Sequence, residues 1–421
     1  MSPPKDGVKA GGPVFWKIAG AGAAFQAGSS AVDSATIVAS PVYQLTGNVF
    51  AVGAASAVLR LGWLLPQIVV GFLAQRAGRR MPFYIVGAFG RAACLAFIAA
   101  LLAAADLPRA WVAGGFLALW TVYAFVSGIV AVPYNDIVGR SIASGARSRM
   151  LALRFFGGGV LALVVAAVVH RLLAAGDFLV AHASIFALAS VLMLVSSVTF
   201  VSAGEPAVAP SSVSPPSSFA EFLRNGWTVL RTDVRFRLFL FTQWLGGATM
   251  MALPFYVVAA SELGLSTEGV ALLLGAQTAG SLASNAAWGR IGDRFGKVRL
   301  LEVVGVLRFV PPLGALVLLA AADAQSAWGL AGFAALFAAI GALINGATIG
   351  YLGYLMEISP DDRRPAYSAY FNALASPASL LPIVGAAIAS ALGLQIVFAV
   401  AVAAAAVQLI LVRKLAKWEK G

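Results

Sequence analysis

The chain has 421 residues, of which 60 % are hydrophobic and 11 % are charged. Soluble domains have roughly 45–50 % apolar and about 25 % charged residues, so this composition excludes a water-soluble globular protein. The formal net charge of +12 raises the question of nucleic-acid binding, which the placement of the charges has to decide. The single cysteine, Cys94, excludes an internal disulfide and is expected to pack within an apolar stretch.

The apolar residues lie in blocks of about 20, and a helix of that length crosses the roughly 30 Å hydrocarbon core of a bilayer. Twelve such blocks follow one another. We therefore predict an all-α membrane protein with twelve transmembrane helices in two six-helix bundles. The predicted spans are 16–44, 48–75, 82–105, 109–135, 150–174, 179–203, 235–261, 267–288, 299–321, 327–356, 366–391 and 394–413.

The longest polar stretch lies between the sixth and seventh spans. Residues 206–218 are rich in Ser and Pro and cannot pack a core, which is typical of a linker. Residues 219–237 mix apolar side chains with four arginines, so we predict an amphipathic segment at the membrane surface or, alternatively, an ordinary basic loop. The predicted domains are a tail of residues 1–15, a bundle of 16–203, a linker of 204–234, a bundle of 235–413 and a tail of 414–421.

The cations separate between the two sides of the predicted membrane. Of the 29 Lys and Arg residues, 24 lie in the two tails, the linker and the loops on the same side. Only Arg109 and Arg171 fall on the other side, and Arg60, Arg91 and Arg308 lie within spans. By the positive-inside rule, both termini and the linker are cytoplasmic in a plasma membrane or bacterial inner membrane. Cations dispersed in this way form no basic face, so nucleic acid is not an expected partner.

One loop sequence recurs at about half the length of the chain. Residues 71–80 read GFLAQRAGRR, and residues 289–298, which begin 218 positions later, read GRIGDRFGKV. Two glycines and an arginine recur at the same spacing. An offset of six helices relates the halves by an axis along the membrane normal, and such parallel repeats are one of the transporter architectures.

The span count, the repeat and this loop resemble the major facilitator superfamily, whose signature in the loop is G-x-L-a-D-r-x-G-r-k. The resemblance implies that the two loops gate the cytoplasmic side. The acidic position is Asp293 in the second copy but Gln75 in the first, so the first latch is expected to depend on Gln75 and on Arg76, Arg79 and Arg80. The gating residues implied are Gly71, Gln75, Arg76, Gly78, Arg79, Gly289, Asp293, Arg294 and Gly296.

The ends of the fourth and tenth spans carry further charges. Asp136 and Arg140 are four residues apart and are expected to pair on one helix face. The superfamily resemblance implies that these loops latch neighbouring helices, whereas a solvated pair would contribute under about 1 kcal/mol, and both alternatives stay open. The mirrored residues in the second half are Glu357, Asp361, Asp362, Arg363 and Arg364.

An ionisable residue within a span is a functional hypothesis by default. Asp33 lies on a helical stripe of polar residues that includes Gln26 and Ser30, and such a stripe faces a bundle interior or an aqueous cavity. We predict that Asp33 couples transport to protons or substrate and pairs with Arg60 of the second span. The alternative is a static Asp33 paired with an arginine for packing.

Other polar and aromatic residues in the spans are candidates for a solute site. Packing in the core or at the membrane interface is the alternative for each aromatic residue. Arg91 and Arg308 lie 217 residues apart and are expected to anchor to carbonyl groups, with binding of an anionic solute as the alternative. The candidate solute-site residues are Trp120, Tyr123, Gln243, Trp244, Gln277, Asn285 and Asn345.

The chain has no phosphate-binding G-x-x-x-x-G-K-[ST] motif, and its two histidines have no nearby cluster of ligands, so we expect neither a cofactor nor a metal. The sequence favours a secondary active transporter that moves a small organic solute by alternating access, with proton coupling left open. Membrane lipid is the other expected partner. The alternative is a non-transporting membrane protein of the same fold, either an assembly factor or a binder of lipid or pigment. We find no nucleophile and base at reachable spacing, so an enzyme is not expected.

Overall fold

The computed structural model describes residues 12–32, 37–46, 49–104, 107–175, 177–207, 215–263, 267–321 and 326–419. Within these ranges the regular secondary structure is helical. The first half and the linker contain eight helices, which follow the apolar blocks of the sequence. They are α1 (Pro13–Ala31), α2 (Ala39–Thr46), α3 (Val49–Arg76), α4 (Met81–Ala103), α5 (Arg109–Ser141), α6 (Ser144–Ala175), α7 (Phe178–Val201) and α8 (Phe219–Thr232).

The second half contains nine further α-helices and one short 3₁₀ helix, Ser376–Leu380, within the described ranges. The α-helices are α9 (Val234–Met250), α10 (Leu253–Glu262), α11 (Thr267–Arg294), α12 (Lys297–Leu307), α13 (Val310–Ala321), α14 (Ala327–Ile358), α15 (Arg364–Ala375), α16 (Leu381–Leu392) and α17 (Leu394–Trp418).

Four predicted spans are interrupted: the first by a break between α1 and α2, the seventh between α9 and α10, the ninth between α12 and α13, and the eleventh around the 3₁₀ helix. Proline occupies the first turn of the helix after three of these breaks, at Pro254, Pro311 and Pro382. Proline lacks the N–H that a helix interior needs but fits the first turn, so it marks where a new helix can begin.

Eight stretches of the described chain are long and apolar enough to cross a membrane. The other four predicted spans correspond to α1 with α2, to α3, to α11, and to α15 with α16. The eight stretches are Met81–Ala103, Arg109–Ser141, Ser144–Leu173, Phe178–Val201, Val234–Ala260, Lys297–Ala320, Ala327–Ile358 and Leu394–Trp418.

The chain forms two compact units. Unit 1 consists of Met1–Ala146, Leu153–Phe222 and Ser359–Ala373. Unit 2 consists of Arg147–Ala152, Leu223–Ile358 and Leu374–Gly421. Each unit therefore includes a short segment from the opposite half of the sequence, and we call Ser359–Ala373 and Arg147–Ala152 the exchanged segments. The predicted domain boundaries ignore this exchange and remain a prediction.

The linker helix α8 forms where the amphipathic segment was predicted. Phe222 is fully buried in unit 1, and its ring lies 5.6 Å from that of Phe72 and 4.6 Å from that of Tyr370. Leu223 and Trp227, one and two turns away from Phe219, are exposed like Phe219 itself. The helix is thus confirmed, and its position at a membrane surface remains a prediction.

Candidate functional site

A group of buried charges surrounds Asp136 at the end of α5 in unit 1. Asp136 is 1 % exposed, and Arg140 Nη2 donates a 2.8 Å hydrogen bond to its Oδ2. Arg80 Nε lies 3.5 Å from Asp136 Oδ2, and Arg364 Nη1 of the exchanged segment lies 3.6 Å from Oδ1. The predicted pairing of Asp136 with Arg140 is confirmed. A solvated pair is the wrong description, because Asp136 is buried among three arginines.

Glu205 is a second carboxylate of this group. It accepts hydrogen bonds from the backbone N–H groups of Arg80, at 2.7 Å, and Met81, at 2.9 Å, and from Arg140 Nη2, at 2.8 Å. Burial opposes ionisation of Glu205, but these three donors outweigh it and hold the pKa of Glu205 below its ordinary value. The sequence prediction missed Glu205, a single acid after the sixth span.

These charges stabilise this end of unit 1 only as a complete set. Removal of one partner from a buried ion pair typically costs about 3–5 kcal/mol, because the other charge stays buried without compensation. Asp136, Glu205 and Asp361, which accepts a hydrogen bond from Arg364 Nη2, lie opposite Arg80, Arg140 and Arg364. Loss of Asp136 or Glu205 is therefore expected to open this end of unit 1.

The first copy of the repeated loop lies beside this group. A Cβ atom on Gly71 would lie 2.3 Å from the Cβ of Ala369, so only glycine lets the exchanged segment approach α3. Gln75 Oε1 is buried and accepts no hydrogen bond in the described structure, so the expected Gln75 contact is not formed through this atom. Arg76 Nε donates to the Pro216 carbonyl of the linker at 3.0 Å. Gly78 and Arg79 are exposed.

The second copy of the loop makes the contact that the first copy lacks. Asp293 accepts hydrogen bonds from the backbone N–H groups of Ser148, at 2.9 Å, and Arg149, at 3.0 Å, both in the exchanged segment of unit 2. Lys297 Nζ lies 3.6 Å from the same carboxylate. A Cβ on Gly289 would lie 3.0 Å from Ala152 Cβ. Gly289 therefore admits the exchanged segment of unit 2 just as Gly71 admits that of unit 1.

Two other gating candidates of the second loop have simpler roles. Gly296 has φ +86°, a conformation that side chains disfavour, and it forms the turn between α11 and α12. Arg294 is exposed, and its Cζ lies 5.3 Å from the ring centroid of Phe295.

The polar stripe of α11 packs against α14 in unit 2. Asn345 Nδ2 donates to Ser281 Oγ at 2.7 Å and to Asn285 Oδ1 at 3.2 Å. Asn285 and Asn345 are 1 % and 7 % exposed. Gln277 is half-buried one turn before Ser281. The structure thus brings these candidates together, and the two asparagines satisfy each other between helices.

The candidate aromatic residues occupy two environments. Trp120 is 1 % exposed, donates from Nε1 to the Ala55 carbonyl at 3.0 Å and stacks on Tyr123 in the core of unit 1. Trp244 is exposed in unit 2 and donates from Nε1 to the Leu374 carbonyl at 2.9 Å. Its neighbour Gln243 is half-buried. Packing accounts for the contacts of Trp120 and Tyr123.

The structure describes the charged candidates of the first two spans only in part. Asp33 lies outside the described residues, and Arg60 is on α3 with its side chain outside the described part. Their predicted ion pair therefore stays a prediction. On α1, Ser30 Oγ donates to the Ala27 carbonyl at 2.7 Å, and Gln26 Oε1 is buried without a donor among the described residues.

The structure matches known proteins over almost its whole length. A bacterial homologue of the iron transporter ferroportin matches with a TM-score of 0.76 at 12 % identity, covering 96 % of this chain and 99 % of that one. The Escherichia coli fucose:proton symporter FucP matches with a TM-score of 0.70 at 14 % identity, covering 95 % and 98 %. A human organic anion transporter matches with a TM-score of 0.70 at 14 % identity, covering 98 % and 100 %. No curated protein matches the sequence.

The family model described as Major Facilitator Superfamily matches residues 245–418. The chain is therefore similar to this family in its second half. Its fold class, twelve helical spans in two bundles, is confirmed by the solved structures, and it is an integral membrane protein. Sequence identities of 12–14 % establish the fold alone. The matched segment begins in α9, so the sequence signal of the superfamily is carried by the second half, where the repeated loop is complete.

The two arginines at equivalent repeat positions differ in their surroundings. Arg308, in unit 2, donates from Nη1 to Thr249 Oγ1 at 2.9 Å and to Gln408 Oε1 at 3.2 Å. Arg91, in unit 1, has its Cζ 4.3 Å from the ring centroid of Phe25, and its Nε has no partner in the described structure. The expected anchoring to carbonyls is seen for neither guanidinium among the described contacts. Arg308 is held by side-chain oxygens instead.

A further arginine, Arg154, lies near Arg91, and both guanidinium groups lie near the Phe25 ring. The sequence analysis counted Arg154 among the loop cations and did not predict this position. A cation within a span costs roughly 2.5–3.5 kcal/mol on insertion scales, whereas a cation–π contact returns only about 0.5–2 kcal/mol. Among the described residues neither arginine has a carboxylate partner, so the two cations require a further source of stabilisation.

Proposed function

We propose that this protein belongs to the major facilitator superfamily and is a secondary active transporter that moves a small organic solute by alternating access. It acts in a plasma membrane, the bacterial inner membrane, with both termini and the linker in the cytoplasm. The match to the family model and the segregation of the cations support this proposal. The fucose:proton symporter and the human organic anion transporter share the fold and, by their names, move small solutes.

The observation that carries the proposal is the contact of Asp293 with the exchanged segment Arg147–Ala152. One carboxylate accepts the N–H groups of Ser148 and Arg149, which belong to the first half of the sequence. A hydrogen bond to a charged group contributes about 1.5–3 kcal/mol, which is enough to bias a conformational equilibrium and small enough for a solute to overcome. Asp293 thus serves as a latch that breaks when the cytoplasmic side opens.

Proton coupling is the finer part of the proposal and depends on Asp33. An ionisable residue within a span is typical of proton pathways, so a carboxylate at this position can bind and release a proton during a transport cycle. The names of the fucose:proton and proton:xylose symporters support a coupling of this kind. Asp33→Asn is expected to abolish the pH dependence of uptake while leaving membrane insertion intact.

The latch can be tested in two steps. Purified protein is first screened by thermal unfolding against sugars, organic acids, amino acids and drugs at two pH values, and the hits are then followed as uptake into proteoliposomes. Asp293→Asn keeps the size of the side chain but removes the charge that accepts two N–H bonds, and we expect it to change the uptake rate roughly tenfold. Glu302→Gln, in the exposed pair with Arg299, is the matched control and should leave uptake unchanged.

The competing function is a non-transporting protein of the same fold. It would bind a lipid, a pigment or a partner protein without moving it. Proteoliposomes that bind a hit but never accumulate it, in either direction and at either pH, would establish this alternative. Uptake that is identical in the wild type and in Asp293→Asn would leave transport in place and remove the latch from the mechanism.

A further inference from the structure

Two arginines on neighbouring helices of unit 1 share one aromatic ring. The Cζ of Arg91, on α4, lies 4.3 Å from the ring centroid of Phe25, and the Cζ of Arg154, on α6, lies 5.8 Å from it. The two guanidinium groups are therefore no further apart than the sum of these distances. Arg91 is 3 % exposed, whereas Phe25 and Arg154 are partly exposed.

The described part of unit 1 provides no negative charge for either arginine. Each described carboxylate of unit 1 is engaged elsewhere: Asp136 and Glu205 in the buried charge group, and the others with a backbone N–H, a serine or a neighbouring arginine. The Nε atoms of Arg91 and Arg154 are buried and make no hydrogen bond there. The described carboxylates are Asp136, Asp177, Glu205, Glu221, Asp361 and Asp362.

The contact between α1 and α6 fixes the position of this site. A Cβ on Gly22 would lie 2.4 Å from Arg154 Cδ, and a Cβ on Gly158 would lie 2.6 Å from Gln26 Oε1. Gly22 of α1 thus leaves room for Arg154 of α6, and Gly158 of α6 leaves room for Gln26 of α1. The two contacts are one helical turn apart. Arg154 Nη1 donates to the Tyr134 hydroxyl at 2.8 Å, whereas the buried Nε of Arg154 makes no hydrogen bond in the described structure. Gln26 lies one turn after Gly22 on α1, and its Oε1 has no described donor.

We propose that Arg91 and Arg154, with Gln26, form a subsite for an oxyanion, the carboxylate or phosphate group of the transported solute. An arginine presents Nε and one Nη as a planar fork that matches the two oxygens of such a group. The anion supplies the charge that the described part of unit 1 lacks. This inference rests on the proposed transport function and narrows the solute to an organic anion.

The equivalent position in unit 2 provides a contrast. Arg308 is held by Thr249 and Gln408, and no second arginine shares its surroundings in the described structure. The repeat thus keeps an arginine at both positions but provides hydrogen-bond acceptors for only one. The arginine without acceptors is the one placed to bind a ligand.

Binding is measured on the purified full-length protein at constant ionic strength. The probes are benzoate against benzamide, glycerol 3-phosphate against glycerol, and sodium sulfate as an inorganic anion. We expect a carboxylate or a phosphate compound to raise the melting temperature while its uncharged analogue does not, and the two pairs distinguish the sources of the oxyanion. Arg154→Gln should weaken this binding roughly ten- to hundredfold, the change for losing one charge-assisted hydrogen bond.

Three further variants complete the test. Arg154→Lys keeps the charge without the fork and should retain the fold while binding more weakly. Arg231→Gln, an exposed arginine over the Trp227 ring at 4.9 Å, should bind like the wild type. Anion binding that appears only in Asp33→Asn would identify Asp33 as the permanent partner of the arginines and overturn the proposal.

The remaining outcomes separate this inference from transport itself. Stabilisation by uncharged analogues or by sulfate alone, or equal affinity in Arg154→Gln and the wild type, overturns the oxyanion subsite. Uptake of a neutral solute in the same preparation would then leave the transporter function standing. Specific binding of an organic anion without any accumulation in proteoliposomes would support the oxyanion subsite and contradict the transporter function.

Discussion

Asp293 and Gln75 occupy equivalent places in the two copies of the repeated loop but make different contacts. Asp293 accepts two N–H groups of an exchanged segment, whereas Gln75 Oε1 accepts none in the described structure. In unit 1, Asp136 provides the charge instead and meets Arg364 of its exchanged segment. The neutral amide of Gln75 therefore suffices in the first loop, because the buried carboxylate of Asp136 on α5 provides the negative charge that contacts the exchanged segment.

Glu205 makes the stability of unit 1 depend on pH. Its pKa is lower in the folded protein than in the unfolded chain, so its stabilisation is present above the unfolded value of about 4.3 and is lost as the pH falls through the folded pKa. Glu205→Gln should therefore destabilise the protein by roughly 3–5 kcal/mol at pH 7, the cost of removing one partner from a buried ion pair. The difference from the wild type should shrink as the pH falls below about 4. Chemical unfolding in detergent between pH 7 and pH 3 measures this.

The control for Glu205→Gln is Glu262→Gln on α10, where the side chain is exposed. It should follow the wild type at every pH. A constant difference between Glu205→Gln and the wild type down to pH 3 would show that ionisation of Glu205 does not contribute.

At the scale of helices, α11 and α14 make the closest approach in unit 2. A Cβ on Gly280 would lie 2.0 Å from the Ala338 carbonyl oxygen, and a Cβ on Gly341 would lie 1.8 Å from that of Gln277. Backbone atoms cannot move aside as a flexible side chain can, so both positions require glycine. Small residues of this kind let membrane helices pack closely.

Gly280→Ala is therefore expected to force the two helices apart. Overpacking costs about 1–3 kcal/mol, which should appear as a lower melting temperature of the purified protein. Gly275→Ala, on the same helix with open space around it, is the matched control. Because alanine favours a helix over glycine by roughly 1 kcal/mol, the control should be neutral or slightly stabilising. Equal melting temperatures for the two variants would contradict the close approach.

The helices themselves were largely predictable, and their breaks were not. Apolar blocks located all twelve spans, since lipid requires each backbone group to bond within its own helix. The first, seventh, ninth and eleventh spans are nevertheless interrupted. Pro254, Pro311 and Pro382 are visible in the sequence, but a proline permits either a kink or a new helix, and the packing around it decides.

At the scale of the whole molecule, the orientation is the prediction that most needs a measurement. In a Cys94→Ala background, single cysteines are placed at Ala207, in the linker, and at Leu107, between the third and fourth spans, both of which are exposed. A membrane-impermeant maleimide should label Leu107→Cys in intact cells and Ala207→Cys only after permeabilisation, because the cations place the linker inside. Labelling of Ala207→Cys in intact cells would reverse the assigned topology.

The site was less predictable than the fold, for a physical reason. The repeat singled out Gly71, Gly289 and Asp293, and each of them contacts an exchanged segment, because a close approach and a carboxylate that accepts backbone N–H groups impose particular residue types. Their gating role remains a prediction. Glu205 and Arg154 were missed, since each is a single charge near a span end and gains meaning only from partners far away in sequence. Trp120 and Asn345 match the composition of a solute site, yet their hydrogen bonds are to other parts of the protein.

The exchanged segment Ser359–Ala373 also determines when unit 1 can be completed during synthesis. Asp136 enters the membrane early, but Arg364 leaves the ribosome only after four of the six spans of the second half. Until then the cations beside Asp136 are those of Arg80 and Arg140. The surface around Gly71 stays uncovered until Ala369 packs against it. The first half must therefore persist as a loosened intermediate, and its insertion and its final folding are separate events in time.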